Sequence, residues 1–203
     1  MKIEPMTELD AINLMLAAIG EAPVNSIGTG LSESRLAQIE LENTSRFVQS
    51  IGWYFNTEDN YPLSPNNKGS IQVPRNTLKV DPQNRRYVAR NNLLYDKVKR
   101  TTVFEDTVLV TLVFGHGWDD LPETAKNYIT IRAARRFQDN NVGSNTLHAF
   151  HANDEAEAEL MLKTEELESG NYNLFANPQL QSMQSRSPSK TYNRGTITEG
   201  FLT

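Results

Sequence analysis

The sequence predicts an α+β protein: a four-helix bundle with an inserted small antiparallel β-domain and an extended C-terminal arm. Apolar residues recur at helical spacing in two segments before residue 52 and in two more after residue 115. The residues between them form short runs rich in aromatic and β-branched side chains, separated by turn sequences. We therefore expect the bundle over residues 1–52 and 115–168, the β-domain over 53–114 and the arm over 169–203.

Two helices form the first half of the predicted bundle. The first begins at Thr7, which forms a capping-box pattern with Asp10, and it ends near Gly20, because glycine readily adopts the left-handed conformation of a helix cap. The second begins after Ser32, a good N-cap residue, and ends before Gly52. Its predicted core face comprises Leu36, Ala37, Leu41, Phe47, Val48 and Ile51.

The predicted β-domain begins with the aromatic run 53–55, because aromatic residues favour strands. Residues 61–67 contain two prolines and two asparagines and are interpreted as a turn. Asn91 and Asn92 predict a tight hairpin, since asparagine tolerates positive φ. The last strand is almost entirely apolar, which predicts cover on both faces, by the chain itself or by another subunit on one of them. The further strands are expected over residues 70–73, 77–80, 86–90, 93–95 and 107–114.

The third and fourth helices complete the predicted bundle. Asp119 and Asp120 are interpreted as capping residues, and Pro122 suits the first turn of the third helix. That helix is expected to reach about Phe137, with a core face of Ala125, Tyr128, Ile129, Ala133 and Phe137. The fourth helix is expected over about residues 147–168, with a contact face of Ala149, Ala152, Ala156, Leu160 and Leu167.

The composition excludes several classes of protein. None of the 203 residues is cysteine, which excludes a disulfide framework, a thiolate zinc site and a cysteine nucleophile. No apolar run approaches the roughly 20 residues that span a bilayer, and the N-terminus lacks the apolar segment of a secretion signal. No phosphate-binding glycine motif follows a strand. We therefore expect no membrane anchor and no cofactor.

The net charge of −5 is distributed in bands along the chain. Residues 61–101 carry nine basic and two acidic residues, whereas residues 154–168 carry one basic and seven acidic residues. We interpret the two bands as complementary surfaces through which copies of the chain contact each other head to tail in a ring. The alternatives for the basic band are contact with phosphates and a solvated face. The basic patch comprises Arg75, Lys79, Arg85, Arg86, Arg90, Lys97, Lys99 and Arg100; the acidic patch comprises Asp154, Glu155, Glu157, Glu159, Glu165, Glu166 and Glu168.

The last 35 residues have a different composition from the rest of the chain. Small, polar and turn-forming residues dominate them, so they bury too little apolar surface to offset the entropy cost of ordering. They nevertheless keep several large apolar side chains, which predicts an arm that orders on a partner; the alternative is a disordered terminus. The candidate partner-binding residues of this arm are Tyr172, Leu174, Phe175, Leu180, Met183, Tyr192, Ile197, Phe201 and Leu202.

Two sets of polar residues are candidates for chemistry. His148 and His151 share a helix face and precede Asp154 and Glu155, but no third ligand spacing supports a metal site, so we interpret them as helix surface. Carboxylates beside aromatic residues are typical of glycoside hydrolases. Adjacent residues of a strand point to opposite faces, however, so neither Glu58-Asp59 nor Asp119-Asp120 makes such a site alone. The alternative glycan site comprises Glu58, Asp59, Trp118 and Asp119.

Three stretches of the sequence are similar, in order, to one family. Residues 11–24 (AINLMLAAIGEAPV) resemble the opening of tail tubular protein A, the adaptor or gatekeeper family of short-tailed bacteriophages. Residues 50–56 (SIGWYFN) resemble the Gly-Trp-aromatic element after the family's second helix. Residues 119–123 (DDLPE) and 133–138 (AARRFQ) resemble the start and end of a family helix. The resemblance covers about residues 9–177, and none of its motifs is catalytic.

The resemblance implies a non-enzymatic structural protein of the virion tail, assembled in the host cytoplasm. It implies a dodecameric ring that joins the portal protein to the tail nozzle protein and surrounds a channel through which DNA passes without specific binding. In such a ring the arm would reach the portal or an adjacent subunit. The alternative function is a tail-associated protein that binds or hydrolyses glycans.

Overall fold

The computed structural model describes residues 4–27, 32–143 and 145–169, which form four α-helices and five strands of antiparallel sheet. This mixture of helix and sheet is the predicted α+β class. The arm residues beyond Ser169 lie outside the described residues. The helices are α1 Glu8–Ala18, α2 Ser32–Gln49, α3 Glu123–Asn141 and α4 Asn145–Ser169; the strands are β1 Thr57–Leu63, β2 Thr77–Val80, β3 Tyr87–Arg90, β4 Leu93–Asp96 and β5 Val108–Phe114.

Helix α3 is central to the helical core, because it contacts α1, α2 and α4. All five residues of its predicted core face are at most 3% exposed, so that prediction is confirmed. The capping box of α1 is also confirmed: the Thr7 hydroxyl accepts from the Asp10 amide, and the Asp10 carboxylate accepts from the Thr7 amide. The start of α1 and the core face of α3 therefore follow directly from local sequence signals.

The predicted contact faces of α2 and α4 are partly wrong. In α2, Ala37, Leu41 and Val48 are buried, but Leu36, Phe47 and Ile51 are about half exposed. Among the α4 residues whose burial is described, Glu155, Ala158 and Leu162 are buried, whereas the predicted Ala149, Ala156, Leu160 and Leu167 are exposed and Ala152 is partly exposed. Both helices carry apolar side chains on more than one face, so periodicity alone does not identify the face that packs against α3.

The sheet residues form two antiparallel groups. Strand β5 lies between β1 and β2, while β3 and β4 form a hairpin in which Asn91 and Asn92 have φ values of 50° and 59°, as predicted. One face of β5 contributes Val110, Leu112 and Phe114 to a second apolar core. Leu109, from the opposite face, is 60% exposed, so cover on both faces is not complete within the described chain.

Two predictions in the β region are wrong. Residues 53–55 are not a strand, and residues 61–63, predicted as a turn, belong to β1. Pro62 is tolerated there because β1 is an edge strand of its sheet, and an edge strand has backbone groups that pair with nothing on one side. The predicted strand over residues 70–73 is reduced to two isolated bridges, Ser70 with Val103 and Gln72 with Leu93.

The loop before α3 also differs from the prediction. Asp119 and Asp120 lie in a short 3-10 helix, Trp118–Asp120, and do not cap α3. The N-cap position of α3 is Pro122, and no side chain bonds to the first turn there. Glu123 instead turns its carboxylate to the Met6 amide, with oxygens 3.1 and 3.2 Å away, and so ties α3 to the residues before α1.

The end of α2 is fixed to the sheet by Asn56, whose side chain is buried. Its amide group donates to the carbonyls of Gln49 (2.8 Å) and Phe114 (2.7 Å), and its carbonyl accepts from the Trp53 amide (2.8 Å). Gly52, with φ +92°, turns the chain between these partners. One asparagine side chain therefore connects α2, the start of β1 and the end of β5.

Candidate assembly surfaces

Part of the basic patch gathers in one cleft. Lys79 from β2, Arg85 from the following turn and Lys97 from the turn after β4 line a cleft of about 460 Å³. Its remaining lining includes the apolar side chains of Leu78, Val80 and Val88. We name this feature the basic cleft: basic side chains together with an apolar lining, a combination suited to an acidic partner that also carries apolar side chains.

The other basic residues serve different purposes. Arg86 is paired with the buried Asp96, at 2.9 Å between Nη2 and Oδ2, and so supports the β3–β4 hairpin. This guanidinium, followed by two backbone amides, lowers the pKa of Asp96 to about 2. Arg90 stacks over the Tyr95 ring, 3.9 Å from its centroid. The last members of the patch, Arg75, Lys99 and Arg100, are exposed and do not line the basic cleft.

Four of the seven acidic-patch residues bind partners within the chain. Glu155 is 7% exposed and accepts from the guanidinium groups of Arg132 and Arg135, which places this carboxylate between α4 and α3. Glu159 pairs with Lys163 one turn later at 2.6 Å.

Glu165 and Glu166 hold the C-terminal end of α4. The Tyr54 hydroxyl donates to Glu165 at 2.5 Å, and the Tyr54 backbone amide donates to Glu166 at 2.6 Å. The Thr124 hydroxyl also donates to Glu165, so the end of α4 is joined to the start of α3. Burial, followed by the Glu165 carboxylate, raises the pKa of Tyr54.

The three remaining acidic residues share one outer face of α4. Asp154, Glu157 and Glu168 are exposed, and with Met161 and Thr164 they recur at intervals of three and four residues. That spacing places them in one line along a helix. We name this line the α4 acidic stripe; Leu160, 64% exposed, lies beside it. The sequence signal that could have found the stripe is this heptad-like spacing of acidic residues.

A second exposed surface is apolar and is not predicted from the sequence. Leu36, Ile39, Phe47 and Ile51 form an apolar strip along α2 and its C-terminal turn, each about half exposed. The Arg132 guanidinium lies 4.9 Å from the centre of the Phe47 ring and covers part of this strip. We name it the α2 apolar strip. The amphipathic pattern of α2 concealed it, because three of its members had been assigned to the core.

The residues of the alternative glycan site have separate surroundings. Trp118 donates its indole N–H to the Met6 carbonyl (3.0 Å) and lines a cleft of about 320 Å³ beside Gln49 and His116. Glu58, Asp59 and Asp119 do not line that cleft. Asp59 accepts from the Thr111 hydroxyl on β5 at 2.7 Å. The structure therefore does not bring the four residues together around this cleft.

One member of the histidine pair, His148, has a structural partner. His148 places Nδ1 2.9 Å from the Asp139 carboxylate and so joins α4 to α3. Within residues 4–27, 32–143 and 145–169, no three potential ligands cluster as a metal site would require. In the same ranges no helix has the length and apolarity needed to cross a bilayer.

The predicted arm residues, from Tyr172 to Leu202, lie outside the described residues.

Comparison with known proteins identifies the family. Residues 9–172 match the family model described as tail tubular protein. Among curated proteins, tail tubular protein A of Klebsiella phage KP34 is 31% identical over 164 residues, which cover 80% of this chain and 88% of that protein. The chain belongs to the tail tubular protein family.

Proposed function

We propose that this tail protein is a non-enzymatic adaptor whose copies form a dodecameric ring between the portal protein and the tail nozzle protein, around the DNA channel. In this proposal the four helices act as one bundle, residues 53–114 act as the inserted β-domain, and residues 169–203 act as an arm that reaches the portal or a neighbouring subunit. The ring assembles in the host cytoplasm and becomes part of the virion tail.

The observation that carries the proposal is the pair of exposed apolar surfaces on α2 and α4. Leu36 and Phe47 on α2 are each 51% exposed, and Leu160 and Leu167 on α4 are more than 60% exposed. Large exposed apolar patches mark interaction sites. A ring built head to tail needs two different surfaces on every subunit, since one surface meets the next copy's other surface.

The charge distribution supports passage of DNA without retention. A protein binds DNA largely by neutralising phosphates with lysine and arginine, and each such contact strengthens the complex. The net charge here is −5, and much of the positive charge is concentrated in residues 61–101. In this proposal the net negative charge of the subunit weakens its attraction for a duplex, as a channel that conducts DNA requires.

The proposal is tested by mixing the purified chain with purified portal rings and imaging the mixture by electron microscopy. We expect a second ring of twelvefold symmetry stacked on the portal. A truncated chain that ends at Ser169 keeps α4 complete and lacks most of the arm, so it should bind the portal more weakly. Portal rings that remain bare at saturating concentrations of the full chain would disprove the adaptor function, and unchanged binding of the truncated chain would disprove the role of the arm.

The alternative glycan function is tested in parallel with the variants Glu58→Ala and Asp119→Ala. Both side chains are exposed, so we expect folding and portal binding to be unchanged and no glycan to be cleaved by any of the proteins. Release of reducing sugar by the wild type that either variant abolishes would contradict a purely structural role.

A further inference from the structure

We infer that the basic cleft of one subunit receives the α4 acidic stripe of the next subunit. This inference rests on the proposed ring, because it names one pair of surfaces through which successive copies meet, beside the α2 apolar strip. The cleft belongs to the β2–β3 region and the stripe to the outer face of α4, so one copy can use both surfaces at once with two different neighbours. Such a contact is heterologous and can close into a ring.

The charges of the two surfaces are complementary. Lys79, Arg85 and Lys97 line the cleft, and Asp81 is the one carboxylate among its lining residues. Asp81 is 7% exposed and accepts a long hydrogen bond from the Tyr87 amide (3.4 Å), so it is directed partly into the hairpin. The stripe provides Asp154, Glu157 and Glu168 on one line of α4. Like charges therefore face each other only at Asp81.

The apolar parts of the two surfaces are complementary as well. Leu78, Val80 and Val88 line the cleft between its basic residues. Met161 lies within the stripe and is 51% exposed, and Leu160 beside it is 64% exposed. Insertion of these side chains into the cleft would remove apolar surface from water on both partners, and the ion pairs at the rim would fix the register.

The apolar lining also distinguishes a protein partner from DNA. Duplex DNA presents phosphates but no apolar side chains that could cover Leu78, Val80 and Val88 in the cleft. A helix that carries carboxylates and a methionine in one line satisfies both parts of the cleft. The described residues contain such a helix, and its buried face is already occupied by α3, which leaves the stripe outward.

The chain has no cysteine, so engineered cysteines react without background. We would prepare Lys97→Cys and Glu157→Cys as separate chains, mix them with and without portal rings, and treat them with a short bis-maleimide. A disulfide is unsuitable because it needs Cβ atoms roughly 4 Å apart, closer than a lysine–glutamate pair brings them. The matched controls are Lys68→Cys, outside the cleft, and Lys163→Cys, on α4 but off the stripe.

We expect a covalent dimer in the mixture of Lys97→Cys with Glu157→Cys, and none in either chain alone or with the controls. Stacked rings without this dimer would overturn the contact and leave the adaptor function intact. The dimer without portal complexes would support the contact and overturn the adaptor function, and the absence of both would overturn both. Dimers from one variant alone, or loss of the dimer when duplex DNA is added, would also overturn the contact.

Discussion

At the scale of single residues, Asn56 shows how one side chain joins the helices to the sheet. Its amide and carbonyl satisfy backbone groups of Trp53, Gln49 and Phe114, all of them in a buried junction. In the sequence, residues 50–56 stand out only as part of a family resemblance. The structure supplies a physical reason for this element: no other side chain of the same size offers two donors and an acceptor in this arrangement.

Replacement of Asn56 by alanine should destabilise the protein strongly. The substitution removes three hydrogen bonds to backbone groups in a buried site, which should lower the free energy of unfolding by about 3 kcal/mol or more. Urea unfolding followed by circular dichroism measures this change. The control Asn84→Ala alters an exposed asparagine and should stay within about 0.5 kcal/mol of the wild type. Equal stability of the two variants would contradict the role assigned to Asn56.

Asp96 should make stability depend on acidic pH. Its pKa is about 2 in the folded protein, below the ordinary 3.8, because the Arg86 guanidinium and backbone amides stabilise the carboxylate. A lowered folded-state pKa contributes stability above the unfolded-state value, and this contribution is lost as the pH falls through 2. Asp96→Asn should therefore cost about 1–2 kcal/mol at pH 7, through the lost ion pair.

The test is to measure thermal unfolding of the wild type and Asp96→Asn from pH 7 to pH 2. The difference between the two should be constant above pH 5 or so, because both states of the wild type are then ionised at this position. It should shrink steadily below that range. A difference that does not vary with pH would show that Asp96 acts through packing and not through its charge.

At the scale of elements, the contact face of a helix is predictable when apolar side chains mark one face of that helix, and it is not predictable when they mark several. In α3 they mark one face, and all five predicted core residues are buried. Among the α4 leucines whose burial is described, Leu160 and Leu167 are exposed and only Leu162 is buried, so the apolar periodicity points to the outer side. A sequence cannot distinguish a face that packs within the subunit from one that is suited to a neighbour, because both are apolar.

Strand β1 was missed for a different reason. Its residues, TEDNYPL, are mostly polar and include a proline, so neither alternation nor β propensity indicates a strand. The strand forms because β5 is strongly apolar and offers it a partner, with Glu58 opposite Leu112 and Leu63 opposite Val108. Its conformation is therefore imposed by tertiary pairing, which local patterns do not contain.

The candidate surfaces were predictable to a similar degree. The density of lysine and arginine in residues 61–101 indicated a basic patch, but only the fold shows that Lys79, Arg85 and Lys97 share a cleft. The predicted acidic patch is larger than the exposed one, because most partners that bind its carboxylates within the chain are distant in sequence. Tyr54 is more than 100 residues from Glu165, and the link between them is invisible to any local pattern.

The turn between α2 and β1 gives a prediction at the element scale. Gly52 and Gly20 both have positive φ, so alanine at either position should cost about 1 kcal/mol of strain. A Cβ at Gly52 would also lie 3.1 Å from a Val113 methyl group and 3.2 Å from the Thr57 hydroxyl, whereas one at Gly20 would meet nothing within 4 Å. Gly52→Ala should therefore destabilise the protein by about 1 kcal/mol more than Gly20→Ala in chemical denaturation. Equal destabilisation by the two variants would mean that the turn at Gly52 can move away from Val113 and Thr57 at little cost.

At the scale of the whole molecule, the subunit holds itself together with one set of groups and offers another to its surroundings. Glu155, Glu165 and Glu166 face inward and bind α3 or Tyr54, while Asp154 and Glu157 on the same helix face outward. The net charge of −5 hides this division. Substitutions of the inward carboxylates should therefore affect folding, and substitutions of the outward ones should affect assembly.

The α2 apolar strip allows folding and assembly to be separated. The double variant Leu36→Ser/Ile39→Ser changes side chains that are about half exposed, so the thermal midpoint of the free subunit should change by only a few degrees. Binding to portal rings, measured by co-sedimentation, should fall markedly because the strip no longer excludes water from an interface. The control Leu162→Ala, at a fully buried position, should lose about 2–5 kcal/mol of stability. Normal portal binding by the double variant would show that the α2 apolar strip takes no part in the assembly.

The bonds between Tyr54 and the end of α4 also define a path for mechanical load. Glu165 and Glu166 lie within one turn of Ser169, where α4 ends, and they are held by the loop that precedes β1 and by Thr124 at the start of α3. Tension applied to the chain beyond Ser169 meets these three hydrogen bonds before it reaches Leu162 in the helical core. Such a pull would be shared among α4, the start of α3 and the loop before β1, so these bonds would protect the helical core from tension at the C-terminal end of α4.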